Sequence, residues 1–370
     1  MAQSWLIYRL TGSGLMLGLV GAMTLVPNLV FGLYGGWLAD HYSRRKLLVI
    51  IHVLAMLQAT VLGVLTIGGW VEAWHILFLA LTLGLVQAVE TPVRQSFIFQ
   101  LVERADLPNA IALNSSLFHL SRFIGPAIAG VLVALIGEGP VFIINALTFI
   151  AVLISLFQLQ LPDTAGNQDN KRGLKGILSG FHYARTHQLI RSLLGMVAAI
   201  SLLGGAALVL LPIFVAEVYG RGPQGLGIFL ATLGSGSLLA ALLLAKRQEY
   251  KLLERRVAMA GIVVGLGLLV FSFNNVYALA LALLFIIGLA STTVYASSNT
   301  LIQMAVPDHL RGRVMALFTI CLHGTTSIGQ MSLGTMADIL GAAMTLRVSA
   351  CILIVLAVWL AVVLHRTEQE

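Results

Sequence analysis

The chain has 370 residues, of which 58% are hydrophobic and 10% charged, with a mean hydropathy of +0.94. Soluble domains carry about 25% charged residues, so an ordinary globular protein is excluded. The formal charge of +7 and the pI near 9.7 would suit a nucleic acid, but the placement of the cations, given below, argues against that partner. Long apolar runs rather than short alternating ones fill the chain, which predicts an all-α polytopic membrane protein. Cys321 and Cys351 both lie inside such runs and read as small packing residues rather than a disulfide.

Residues 1–10 are too short for a span, which takes roughly 20 apolar residues. They read as the outer half of a first helix whose inner half is expected upstream. No basic segment with a following cleavage site marks a signal peptide. Thr11-Gly12-Ser13 is a turn. Apolar spans follow at 15–38, 47–68, 75–99, 109–135 and 141–161, then at 193–216, 224–245, 257–273, 277–304, 313–340 and 342–364. This makes about eleven full spans plus the fragment. The longest polar stretch, 162–191, reads as a cytoplasmic linker between an N-terminal bundle, 1–161, and a C-terminal bundle, 192–370. Within it, 173–187 could lie along the membrane surface as a helix.

The cations fix the orientation. If the turn at 39–46 is cytoplasmic and sides alternate, 18 of the 22 Lys and Arg residues fall on the cytoplasmic side. Only Arg9, Arg221 and Arg347 fall opposite, and Arg122 alone lies deep within a span. This asymmetry is the positive-inside pattern. It assigns the basic charge to lipid headgroups and topology.

The turn itself is the most informative stretch: Gly36-Trp37-Leu38-Ala39-Asp40-His41-Tyr42-Ser43-Arg44-Arg45-Lys46. Gly36 would let two backbones approach closely. Asp40 could sit at a helix N-terminus, where the dipole favours an anion. The pattern G-x-L-A-D-x-x-S-R-R-K resembles the signature between the second and third helices of the major facilitator superfamily. That resemblance implies two parallel six-helix halves and a gating role for Gly36, Asp40, Arg44, Arg45 and Lys46. Ser43 stands where the family usually has glycine, a residue suited to φ > 0, and His41 replaces a usual cation. The family often has an acid at the position of Gln100 to pair with the hairpin arginine; here Glu103 is the substitute candidate.

The fifth span reads Leu107-Pro-Asn-Ala-Ile-Ala-Leu-Asn, continuing to Ser121-Arg122-Phe-Ile-Gly125-Pro126-Ala-Ile-Ala-Gly130. Gly125 and Gly130 would leave a groove for a neighbouring helix, and Pro126 would allow a bend. The stretch resembles the G-P-x-x-G-G signature of antiporters in the superfamily. The longer string, with Pro92-Val93-Arg94-Gln95 and 310–317, resembles a narrower branch of transmembrane secretion effectors, which includes the enterobactin exporter and macrolide efflux proteins. A weak repeat relates Phe99-Gln100-Leu101-Val102 to Ile302-Gln303-Met304-Ala305, and Gly-rich helices follow both copies.

Charges inside a membrane are expensive and point to function. Glu90 and Arg122 are the clearest. Either pairs with the other, or Glu90 pairs with Arg94 one turn on, for stability; or Glu90 carries protons. Ser291, Thr292, Thr293, Tyr295, Ser297, Ser298 and Asn299 form a polar stripe that suggests a wet cavity, though hydroxyls also bond their own backbone. The expected cavity and proton-coupling set is Glu90, Arg94, Arg122, Tyr295 and Asn299. His119 and His323 lack a second ligand at i+3 or i+4 and read as packing groups. No nucleotide loop or activated nucleophile is present, so neither an enzyme nor an ATP-driven pump is expected.

The reading is a monomeric secondary transporter of a bacterial inner membrane, without cofactor. It would export a small, amphipathic drug-like or siderophore-like molecule by proton antiport. The alternative is a non-transporting membrane sensor or chaperone with the same fold.

Overall fold

The computed structural model describes residues 1–101, 106–159, 181–245 and 253–367. Within these, the side chains of some helical residues, Asp40, Gln100, His119 and Arg122 among them, lie outside the description, as do Glu103 and most of the expected 162–191 linker. Among the described residues every regular element is helical.

Six helices form the first half: α1 (Ala2–Thr11), α2 (Gly14–His41), α3 (Arg44–Ile67), α4 (Ala73–Leu101), α5 (Leu107–Ile136) and α6 (Glu138–Gln158). In the second half, α7 is Gln188–Val218, α8 Pro223–Ala245, α9 Leu253–Phe273 and α10 Tyr277–Ala305. The eleventh helix, α11, joins Asp308–Thr319, Ile320–Gly324 and Thr325–Leu340, and α12 is Ala342–Thr367. Residues 181–186 are also helical, within the expected surface helix; the rest of that segment lies outside the described residues.

The helix ends follow from local chemistry. Ser13 caps α2, its hydroxyl accepting from the Met16 N–H, which satisfies one of the four free donors of a helix start. Gly137 and Gly341 close α5 and α11 at φ +80° and +83°, a conformation that suits a residue without Cβ.

Packing repeats between the halves. Helix α2 packs on α4, α3 on α4 and α3 on α6; likewise α8 packs on α10, α9 on α10 and α9 on α12. Nine helices among the described residues are long and apolar enough to cross a membrane. Helix α5 contributes the shorter apolar stretch Phe123–Ile136 among its described residues. Large apolar side chains such as Val30, Phe157, Ile328 and Val355 stand exposed on the outer helix faces. A soluble monomer rarely exposes such a surface; a bilayer covers it.

Candidate functional site

The basic turn is built by helix ends. Helix α2 ends at His41, and Ser43 precedes α3 with φ −57°, so no left-handed residue is needed and serine is tolerated where the family has glycine. Arg44 donates to the carbonyls of Ala39 (3.3 Å) and Ser96 (3.5 Å). Arg45 donates to the Phe157 carbonyl at 2.8 Å, at the C-terminal end of α6. Cations suit these ends because the last carbonyls of a helix are unpaired and partly negative. The described partners of Arg44 are thus main-chain carbonyls; the candidate acid Glu103 and the side chain of Asp40 lie outside the described residues. Gly36 corrects an expectation. A Cβ there would meet nothing within 4 Å, whereas one on Gly35 would meet the Ala88 carbonyl at 2.6 Å. The close approach of α2 to α4 is therefore at Gly35.

Deeper in the first half, Arg94 Nε lies 3.4 Å from Glu90 Oε1, and Arg94 Nη1 donates to Asn114 Oδ1 at 3.4 Å. Each pair is long, and Arg94 Nε has no well-formed hydrogen bond. Both side chains are about one-third exposed. At 100° per residue, Glu90 lies across α4 from Ala88 and Pro92, the residues set against Gly35. The arrangement is a loose ion pair. The side chain of Arg122, the other expected partner of Glu90, lies outside the described residues.

The second half contributes a hydroxyl cluster. Ser201 Oγ donates to Tyr295 Oη at 3.3 Å. A Cβ on Gly205 would sit 3.4 Å from Tyr295 Oη and 4.0 Å from Thr326 Oγ1, so glycine keeps open the space between them. Asn299 Oδ1 accepts from Gln303 at 2.5 Å. The rest of the α10 stripe is less wet than its composition suggests. Thr293 bonds its own helix, and Ser297 and Ser298 are fully buried.

The cluster sits beside irregular turns that sequence reasoning missed. Ile200–Gly205 and Ile320–Gly324 are π-helical, and Ala206–Leu210 is 3₁₀. Thr325 Oγ1 bonds the Ala198 carbonyl at 3.2 Å, joining the two π-turns. Thr325, Thr326 and Ser327 also bond the carbonyls of Cys321, Leu322 and His323. Three successive hydroxyls thus satisfy carbonyls of the widened turn. In α7, Gly204-Gly205 weakens the helix, and Pro212 cannot donate to the Leu208 carbonyl. These residues were the available signal.

Two antiparallel helix pairs carry most of the packing between the halves, α2 with α11 and α5 with α8. Both pairs touch through glycine at the end opposite the basic turn. Gly14 and Gly18 face Gly334, and Gly130 lies against Gly227, whose Cβ would also meet the Pro126 carbonyl at 2.6 Å. Without Cβ atoms the backbones come within direct contact. Here too one expectation is corrected: Gly130 is in the groove, but Gly125 faces open space. Hydrogen bonds cross at the same end. Asp338 binds the start of α2, and Tyr8 Oη donates to Glu217 at 2.7 Å.

The full chain, residues 1–370, matches the family described as transmembrane secretion effector. It belongs to that family of the major facilitator superfamily. It is 28% identical to the staphyloferrin A transporter of Staphylococcus aureus over 93% of this chain and 86% of that one. It is 27% identical to the multidrug efflux pump Tap of Mycolicibacterium fortuitum, over 92% and 85%. The fold is similar to that of the nucleoside transporter NupG, with TM-score 0.73 at 14% identity, covering 97% and 93% of the two chains. It is also similar to a bacterial homologue of the human lysosomal transporter Spinster, solved inward-facing and unoccupied, with TM-score 0.65 at 17% identity over 98% and 95%.

The chain is accordingly a multi-pass membrane transporter with two parallel halves, α1–α6 and α7–α12. In this major facilitator protein the three cations outside the basic end are all engaged. Arg9 pairs with Glu138 at 2.9 Å, Arg221 lies 3.9 Å over the Tyr277 ring, and Arg347 lies 4.1 Å over Phe273. They staple helix ends.

Proposed function

We propose that the transporter exports a small amphipathic molecule, siderophore-like or drug-like, across the cytoplasmic membrane of a bacterium by proton antiport. The observation that carries this reading is the layout along the helix axes. Glycine seams close the halves together at one end. The loose Glu90–Arg94–Asn114 group and the Tyr295–Ser201 group lie deeper, toward the basic end. With the basic turn cytoplasmic, as the cation asymmetry implies, this is an inward-facing arrangement. Hydroxyls and one ion pair among apolar walls suit a substrate with both polar and apolar parts. The names of the siderophore and multidrug relatives support the same class.

In the outward-facing state Glu90 takes a proton from outside, which releases Arg94. After the halves rock, Glu90 gives the proton to the cytoplasm, and Arg94 pairs with it again. Substrate leaving in the opposite sense is then driven by the proton gradient. The test is Glu90→Gln in everted vesicles, with candidate drugs and siderophores. Gradient-driven accumulation should fall to background while downhill substrate exchange persists. Wild-type accumulation by the variant would remove Glu90 from the coupling.

A further inference from the structure

At the closed end the two seams match closely in backbone but not in polar chemistry. The same 204 positions separate Gly130 from Gly334 and the left-handed caps Gly137 from Gly341. The same 209 separate Gly18 from Gly227 and Gly14 from Pro223. The α2–α11 and α5–α8 crossings are thus repeats of one contact, Gly18 on Gly334 and Gly227 on Gly130.

Only the first carries a carboxylate. Asp338, near the end of α11, accepts from Ser13 Oγ at 2.6 Å, from the Gly14 N–H at 2.5 Å and from the Leu15 N–H at 3.1 Å. It caps α2 from the other half of the molecule. These donors are otherwise unpaired groups at a positive helix end, where an anion is favoured. At the second seam Asp338 is replaced by Ala134 and Gly14 by Pro223. Neither the acceptor nor the counterpart of the Gly14 N–H exists there.

We infer that Asp338 is a gating residue of the transport cycle, a one-sided latch that holds the outer seam closed by capping α2. Its carboxylate is exposed at the rim of the seam. When the seam parts, water replaces all three donors and no charge is left buried, so the latch opens and recloses readily. Asp338 positions the halves and touches no substrate. The α5–α8 seam, whose glycine contact has no matching carboxylate, follows. The latch acts within the alternating-access reading above, but its test needs no substrate.

Spin labels at Trp70→Cys and Val276→Cys, both exposed on outer loops of opposite halves, report opening when Cys321 and Cys351 are replaced by serine. Asp338→Ala should raise the ratio of long to short distances about fivefold, the scale of losing one helix cap. Ser13→Ala, which removes a donor from the other side, should move it the same way by less. Asp338→Glu should restore the short distance. Unchanged distributions in both alanine variants would overturn the latch. A shift in both, in a protein whose wild type moves no substrate, would support the latch and remove the export reading instead.

Discussion

The α2–α11 and α5–α8 seams use the same glycine-on-glycine contact, yet they are closed by different means. The first adds a carboxylate bound to three donors; the second has an alanine and a proline at those places. Shape is therefore repeated between the halves while polar bonding is not. Close backbone packing brings the halves together, and in the proposed latch the small energy that decides which way the molecule faces is placed on one seam. A cap at an exposed site is worth about 1 kcal/mol, too little to hold a fold but enough to bias two conformations.

Substitution at the seam glycines should have the largest effect. A Cβ on Gly18 would fall inside the Gln330 carbonyl oxygen. Gly18→Val should therefore prevent outer closure, costing roughly 2 kcal/mol or more, about thirtyfold in the closed population. The outer spin-label distance should lengthen and transport should collapse at equal expression. Gly130→Val should do the same at the second seam. A short-distance, active Gly18→Val protein would refute the seam geometry.

A smaller effect is expected when the second seam is given the polar groups of the first. Ala134→Asp with Pro223→Ser supplies the missing acceptor and restores a backbone donor at the α5–α8 seam. The closed state should gain about threefold in population, the scale of one charge at a helix end. The outer distance distribution checks it, and a shift toward the open state would contradict the repeat relationship.

The smallest effects separate true seam glycines from their neighbours. Gly36→Ala and Gly125→Ala meet open space and should change thermal stability by no more than about 0.5 kcal/mol. Gly35→Ala must push against the Ala88 carbonyl at 2.6 Å and should cost more than either. A thermal shift assay on the three purified variants orders them. Equal shifts would mean that α2 and α4 can slide apart freely.

How much of this could be read in advance depends on what each feature rests on. The spans were legible because lipid demands long apolar runs, and the expected boundaries fall within a few residues of α2–α12. The basic turn was legible because its cations serve helix ends that adjoin it in space. Which of two nearby glycines meets a neighbour was not legible. Gly35 and Gly36, or Gly125 and Gly130, differ in angle and height on the helix, and these have meaning only once the partner helix is placed. The role of Asp338 was not legible, because its donors lie up to 325 residues away. The π-turn at Ile320–Gly324 was written in Thr325-Thr326-Ser327, yet a run of hydroxyls in a membrane helix reads equally well as a wet cavity.

In the proposed cycle the glycine seams part at the outer end as the halves close at the basic end. Two distances measured on one protein test it most directly. One spin-label pair is Trp70 with Val276 at the outer end. The other is Tyr42 with Gly312, in the turns before α3 and at the start of α11. Imposing a proton gradient with substrate present should lengthen the first distance and shorten the second in the same fraction of molecules. Distances that change in the same direction, or an outer pair that stays short while substrate is moved, would contradict it.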